Sequence, residues 1–249
     1  MKINAVFFIL ILNISCSSRN EKKALEMIEK GNEYMDNKNY SSALIQFKNA
    51  LKFDLSKEII PLNYRNIAVT FLYLNQADSA KYYSKLGMDC SDKNTYYHYL
   101  NKAEYLLLTH NIKEALITFD TAEKLFSNQN DPQLMEIHNN LSLIYAGNYG
   151  EQFLNLSKSL FHAKKAYKMK NNETNQEQLA SVYFQLENFD EAYRLFNDLK
   201  NKHPEVKIYQ FYTGQTLYFI GKEEEGMKLM KDAADRDIKC NELFLELTS

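Results

Sequence analysis

The stretch from Gly31 to Ala50, GNEYMDNKNYSSALIQFKNA, decides the fold. Gly31 and Tyr34 fall on one helical face, Asp36 to Asn39 form a polar break, and Tyr40, Ala43, Phe47 and Ala50 fall on a second face. Small residues sit where two helix backbones must approach, and the large ones a turn away fill the adjoining grooves. The stretch therefore predicts two helices folded back on each other by a short turn. A second copy with the same offsets runs through Ala180, Tyr183, Phe189, Ala192 and Phe196 to Pro204. Self-similarity at a period of roughly 34 to 39 residues means a stack of like units, each burying its apolar face only against its neighbours.

Composition agrees with an all-helical chain. Only 7 Gly and 3 Pro in 249 residues leave little material for the turns of a sheet protein. Hydrophobic residues at 45% and charged residues at 25% are ordinary for a folded chain with a continuous core. The formal net charge is -2, with both signs mixed along the chain, so the balance offers no basic face for a phosphate backbone and nucleic acid is not an expected partner.

Four weaker copies complete a set of six. Ala68, Phe71, Ala80, Ser84 and Gly87 carry the second, and Ala103, Leu106, Ile112, Ala115, Phe119 and Ala122 the third. Leu141, Ser142 and Tyr145 open the fourth, whose second helix is recognisable from Ser159, Ala163 and Ala166 after about five extra residues that include Gly147 and Gly150. Gly214, Leu217, Gly226, Met230 and Ala233 carry the sixth. Asp131 before Pro132 reads as a helix start, and Pro204 punctuates a repeat boundary. The segment 238–249 is too short for a seventh pair and is expected to cap the last hairpin.

This alternation of small and aromatic residues over a helix pair resembles the tetratricopeptide repeat family, and the resemblance covers residues 23–237 in six repeats. It implies an all-α superhelical solenoid whose inner surface is lined by the first helix of each pair. On that frame the groove residues are Asn32, Arg65, Val69, Leu72, Tyr73, Tyr97, Leu107, Leu143, Phe184, Phe211 and Tyr218, with Glu104 and Phe219 also facing inward. Aromatic anchors in an apolar surface point to a protein or peptide partner. Chaperone-binding members of the family grip a carboxylate with Asn, Lys and Arg. Here Asn32 and Asn66 match, but Ile28, Tyr97 and Asn101 stand where the cations belong, so that clamp is not expected.

The first residues read as an address. Met1 and Lys2 precede an apolar run from Ala5 to Leu12, too short for the roughly 20 residues that span a bilayer. Ile14, Ser15 and Cys16 resemble the bacterial lipoprotein signal, although Asn13 stands where that pattern usually has Leu. The resemblance implies a signal peptide at 1–15, lipid on Cys16, a short tether at 16–22, and a protein of the outer membrane facing the periplasm. Two or three acyl chains on one cysteine anchor a protein stably. Cys90 and Cys240 lie in distant parts of a stack, whereas a disulfide needs Cα atoms within about 7 Å, so both read as free thiols.

No catalytic or metal constellation emerges. His98, His110, His138, His162 and His203 lack the spacing of a helical zinc site, Glu223 to Glu225 read as a solvated run, and no phosphate-cradling loop is present. The expectation is a non-enzymatic envelope scaffold or assembly factor without a cofactor, similar in architecture to the pilotin-like lipoproteins that help assemble pilus secretins. The alternative is an envelope receptor for a small ligand or cell-wall fragment. An accessory subunit of an enzyme and a homo-oligomer held through the groove are further readings.

Overall fold

The computed structural model describes residues 19–53, 55–126 and 134–248. The leader, Cys16 and the Asp131–Pro132 pair lie outside the described residues. Among those residues the regular elements are all helical: α1 (Arg19–Asp36), α2 (Tyr40–Ala50), α3 (Ile59–Tyr73), α4 (Ala77–Cys90), α5 (Tyr96–Leu108), α6 (Ile112–Phe126), α7 (Leu134–Tyr145), α8 (Leu156–Met169), α9 (Glu173–Gln185), α10 (Phe189–Lys202), α11 (Lys207–Phe219), α12 (Glu223–Ala234) and α13 (Ile238–Thr248), with one 3-10 turn at Glu151–Phe153. The fold is the expected all-α helical repeat. Residues 19–22, expected as tether, are the first turn of α1.

One turn geometry recurs six times and defines the repeat. After each first helix a single residue takes a left-handed conformation: Lys38, Asn75, His110, Gly147, Glu187 and Gly221, with φ between 57° and 87°. Each time the following N–H reaches back to a carbonyl five residues earlier, as from Asn39 to Tyr34, Gln76 to Phe71, Asn188 to Tyr183 and Lys222 to Leu217. The left-handed residue's own N–H bonds the carbonyl three residues before it, as from Lys38 to Met35 and Glu187 to Phe184. This paired bonding satisfies the orphan carbonyls of the helix end and turns the chain sharply into the second helix. Four of the six residues are not Gly, so each bears the steric cost of a left-handed L-residue.

The chain divides into two compact units, 1–140 and 141–249, and the division falls within α7. In the first, α1/α2, α3/α4 and α5/α6 are helix pairs, with α2 packed on α3 and α4 on α5. Gly31 lets the Phe47 ring lie against the α1 backbone: a Cβ there would come within 2.5 Å of the ring. In the second unit α9/α10 and α11/α12 are pairs, with α8 on α9 and α10 on α11. Helices α11 and α12 touch backbone to backbone, since a Cβ on Gly214 would stand 2.7 Å from the Gly226 carbonyl oxygen. Helix α13 packs on α12 and α11, burying Cys240 with Phe211, Met230 and Ala233.

The fourth repeat departs in two ways. The turn register places Asn140, not Ser142, at the position held elsewhere by Gly31, Ala68, Ala103, Ala180 and Gly214, each seven residues before its left-handed residue. Asn140 fits by turning its amide onto the Glu136 carbonyl at 2.9 Å. Ser142 instead meets Ser159 across the hairpin, through Ser159 Oγ donating to the Ser142 carbonyl at 2.9 Å, and Gln178 donates to the Ser142 hydroxyl at 3.1 Å. The capping residue that starts the second helix follows the left-handed residue by one position at Asn39 but by eight at Asn155. The insertion is thus seven residues rather than about five.

Candidate interaction surface

At two of the turns the first residue of a second helix lies against the last turn of the next first helix. In the first unit this pairs Tyr40 with Tyr73, rings 4.6 Å apart and 9° from parallel. Both are half-buried, packed with Leu72 and Leu108 onto the core, and burial pushes the Tyr40 phenol up. In the second unit Phe189 and Phe219 occupy the same register and stack at 4.9 Å and 12°. Phe184 adds its edge to both, at 5.3 and 5.6 Å, and Tyr218 meets Phe219 edge-on at 5.7 Å. Four rings from α9, α10 and α11 thus form one cluster in which Phe219 is 48% and Tyr218 39% exposed. Such contacts fix ring positions before any partner arrives, so little side-chain freedom remains to be lost on binding.

The residues expected to line the groove divide by burial. Asn32, Arg65, Val69 and Leu107 are buried within the first unit, where Leu72, Tyr73 and Tyr97 are half-buried. In the second unit Leu143 and Phe211 are buried, Phe184 is half-buried and Tyr218 is exposed. Tyr73, Phe184 and Tyr218 are therefore the expected residues that belong to the two ring clusters. Tyr40 and Phe189, read from sequence as hairpin packing, join them because each begins a second helix.

Arg65 has another role. Its Nε donates to both carboxylate oxygens of Glu104 at 3.0 Å, its second guanidinium nitrogen lies 2.8 Å from Glu104, and the same nitrogen pairs with Glu136 at 2.6 Å. All three side chains are buried, joining α3, α5 and α7 inside the first unit. Desolvation opposes the charge on Arg65, but the two carboxylates outweigh it and hold the guanidinium well above its usual range. The buried Tyr96 phenol is pushed up, first by desolvation and then by the Glu136 charge. One cation against two anions makes this a scaffold element whose parts depend on one another.

Most of the histidines meet an acid or a ring within their own unit. His138 Nδ1 lies 3.8 Å from Glu123, His162 stacks on Tyr145 at 5.8 Å, and His203 lies between Glu173 and Glu205 at 3.9 and 3.8 Å. His98 meets Tyr99 edge-on, and His110 is a left-handed turn residue. The thiols are free, Cys90 exposed and Cys240 buried. Among the described residues no helix is long and apolar enough to cross a membrane.

No protein-family model matches the chain. It is similar to the DnaJ homolog subfamily C member 7 homolog of Dictyostelium discoideum, 26% identical over 247 residues, covering 89% of this chain and 41% of that protein. It is also similar to the TPR repeat-containing protein MJ1428 of Methanocaldococcus jannaschii, 24% identical over 181 residues, covering 72% of this chain and 29% of that one. The chain thus spans less than half the length of either curated relative. Among solved structures it resembles the APC/C hetero-tetramer Cut9–Hcn1, with a TM-score of 0.66 at 17% identity over 91% of this chain and 43% of that one. It resembles PilW, described as a widely conserved type IV pilus biogenesis factor, with a TM-score of 0.61 at 15% identity over 91% of this chain and 98% of that one. Pseudomonas aeruginosa PilF follows, with a TM-score of 0.59 at 12% identity over 92% of this chain and all of that one, 100%. These likenesses show the fold, a stack of helix pairs of tetratricopeptide type.

Proposed function

We propose that this protein is a non-enzymatic scaffold or assembly factor, lipid-anchored through Cys16 at a bacterial envelope membrane, that holds a partner protein or peptide. The observation that carries the reading is the four-ring cluster of Phe184, Phe189, Tyr218 and Phe219, in which half-buried Phe184 and Phe189 hold the exposed Tyr218 and Phe219 in place. Aromatic side chains are enriched at protein interfaces, with tyrosine prominent among their hot spots. The half-buried Tyr40–Tyr73 stack offers a second, smaller contact. An extended peptide or an amphipathic helix with apolar side chains at regular intervals fits such rings better than a charged terminus does.

The envelope location is supported by the residues around Cys16 and by a fold shared along nearly the whole chain with PilW and PilF. Outer-membrane attachment facing the periplasm is the arrangement we infer, with no cofactor or metal required. Two experiments test the reading. Mass spectrometry of the mature N-terminus should find a diacylated cysteine, and Cys16→Ser should release the protein from membranes; an unmodified Cys16 would remove the anchor. Affinity capture from native membranes, beside a folded Phe184→Ala, Tyr218→Ala, Phe219→Ala variant, should lose a specific partner; unchanged capture would move the binding surface elsewhere.

A further inference from the structure

The helix that follows the seven-residue insertion has an outer face unlike the others. From Gln152 to Asn172 the sequence holds five lysines, Lys158, Lys164, Lys165, Lys168 and Lys170, and no Asp or Glu, in a chain whose 30 basic residues are outnumbered by 32 acidic ones. At 3.6 residues per turn, Lys158, Phe161, Lys164, Lys165, Lys168 and Met169 share one sector of roughly 140° of α8. The opposite sector, Ser159, His162, Ala163 and Ala166, is buried. Phe161 on the lysine face is 51% exposed, Met169 is exposed about two turns further along, and Leu154 is exposed on the inserted loop. Lys165 Nζ lies 4.4 Å from the centre of the Phe161 ring, while Lys158 and Lys164 arch over Tyr145 and Tyr183 at 5.0 and 5.4 Å. The ammonium groups therefore ride on aliphatic stems that lie along apolar surface.

We propose that this face of α8 docks on the surface of an anionic lipid bilayer. Its charge is of one sign, matching a layer of anionic headgroups. Phe161 and Met169 supply what charge alone does not explain, apolar side chains that enter the boundary between headgroups and acyl chains. The docking does not depend on lipid at Cys16: an anchor would hold the protein near the membrane, and α8 fixes which side of the second unit lies against it.

The test is cosedimentation of the full chain carrying Cys16→Ser with vesicles of phosphatidylcholine and with vesicles of phosphatidylcholine and phosphatidylglycerol in equal parts. Binding to the neutral vesicles is the baseline for any contribution of residues 5–12. The ratio of anionic to neutral binding should be large, should fall as salt is added, and should drop by about 100-fold in the triple variant Lys164→Gln, Lys165→Gln, Lys168→Gln. Phe161→Ser should weaken binding to the mixed vesicles by about tenfold without changing its salt dependence. All the substituted side chains lie on the outer face, and circular dichroism verifies the fold. A ratio near one in the unmutated face, or a ratio the triple variant leaves unchanged, would overturn the proposal. So would a Phe161→Ser variant that binds the mixed vesicles as tightly as the unmutated face, which would leave only a charge attraction that an acidic polypeptide supplies equally.

Discussion

Arg65 in α3 and Phe211 in α11 hold the same place in the repeat, each ten positions before its left-handed turn residue, Asn75 and Gly221. In the first unit that place carries a guanidinium locked to Glu104 and Glu136; in the second it carries a phenyl ring packed with Met230, Ala233 and Cys240. The repeat thus dictates backbone approach and turn, through residues such as Gly214 and the six left-handed positions, and leaves the polarity of the inner position open. The same holds at the edge, where one stacking geometry joins two half-buried tyrosines in the first unit and two phenylalanines in the second. Because the second pair is enlarged by Phe184 and an exposed Tyr218, the unit with the phenyl ring at the inner position also presents the larger aromatic cluster at its edge.

The largest effects should come from the two inner positions, and for different reasons. Arg65→Met leaves two carboxylates buried together and should cost about 3–5 kcal/mol, read as loss of hydrogen-exchange protection in α3, α5 and α7. Replacing the whole triad by Arg65→Met, Glu104→Leu and Glu136→Leu should recover most of that loss. Phe211→Ala should cost a similar 3–5 kcal/mol through the cavity it leaves, with protection lost in α11 to α13. If the apolar triad is no better than Arg65→Met alone, the contrast between an ionic and an apolar inner position fails.

Next in size is the backbone contact of α11 and α12. Gly214→Ala places its Cβ against the Gly226 carbonyl, which cannot turn aside, and should cost about 3 kcal/mol by urea unfolding. Gly31→Ala meets the Phe47 ring first and should cost less, about 1–2 kcal/mol, since a side chain can shift where a backbone carbonyl cannot. Equal costs would show that the second unit is no more tightly closed at its helix crossing than the first.

Smaller still are the ring pairs. Double-mutant cycles to Ala at Tyr40/Tyr73 and at Phe189/Phe219 should each return a coupling of about 0.5–1.5 kcal/mol, alike in the two units because the geometry is alike. The smallest effect concerns Cys240, whose thiol is pushed up to about 12, first by burial and then by hydrogen bonding to Asp237. A thiol raised above its unfolded value of about 8.5 contributes stability that is complete below that value and is lost as the pH climbs toward 12. Alkaline destabilisation of the second unit should therefore be shallower in Cys240→Ala. Iodoacetamide near neutral pH should label Cys90 and spare Cys240.

The sequence announced the hairpins because Gly31, Ala43 and Phe47 sit at spacings that only helix packing rewards. The inward placement of Tyr73, Phe184 and Tyr218 came from the tetratricopeptide resemblance and not from their spacing. The sequence did not reveal the Arg65 triad, since Glu136 lies 71 positions away and nothing local marks a carboxylate that will be buried. Ser142 looked like the small residue of the fourth repeat, and only the turn hydrogen bonds move that register to Asn140. The lysines of α8 were visible singly, but an overall charge near balance concealed them until burial sorted the helix into two faces.

The most direct test of a binding role for the aromatic edge is site-specific photocrosslinking in native membranes, with the photoreactive residue at Phe219 and a control at Tyr82, which is exposed on α4 in the first unit. A discrete adduct at Phe219, absent at Tyr82 and abolished by Phe184→Ala with Phe189→Ala, is the predicted result. Adducts that are the same at both positions, or that survive the loss of the two neighbouring rings, would contradict it.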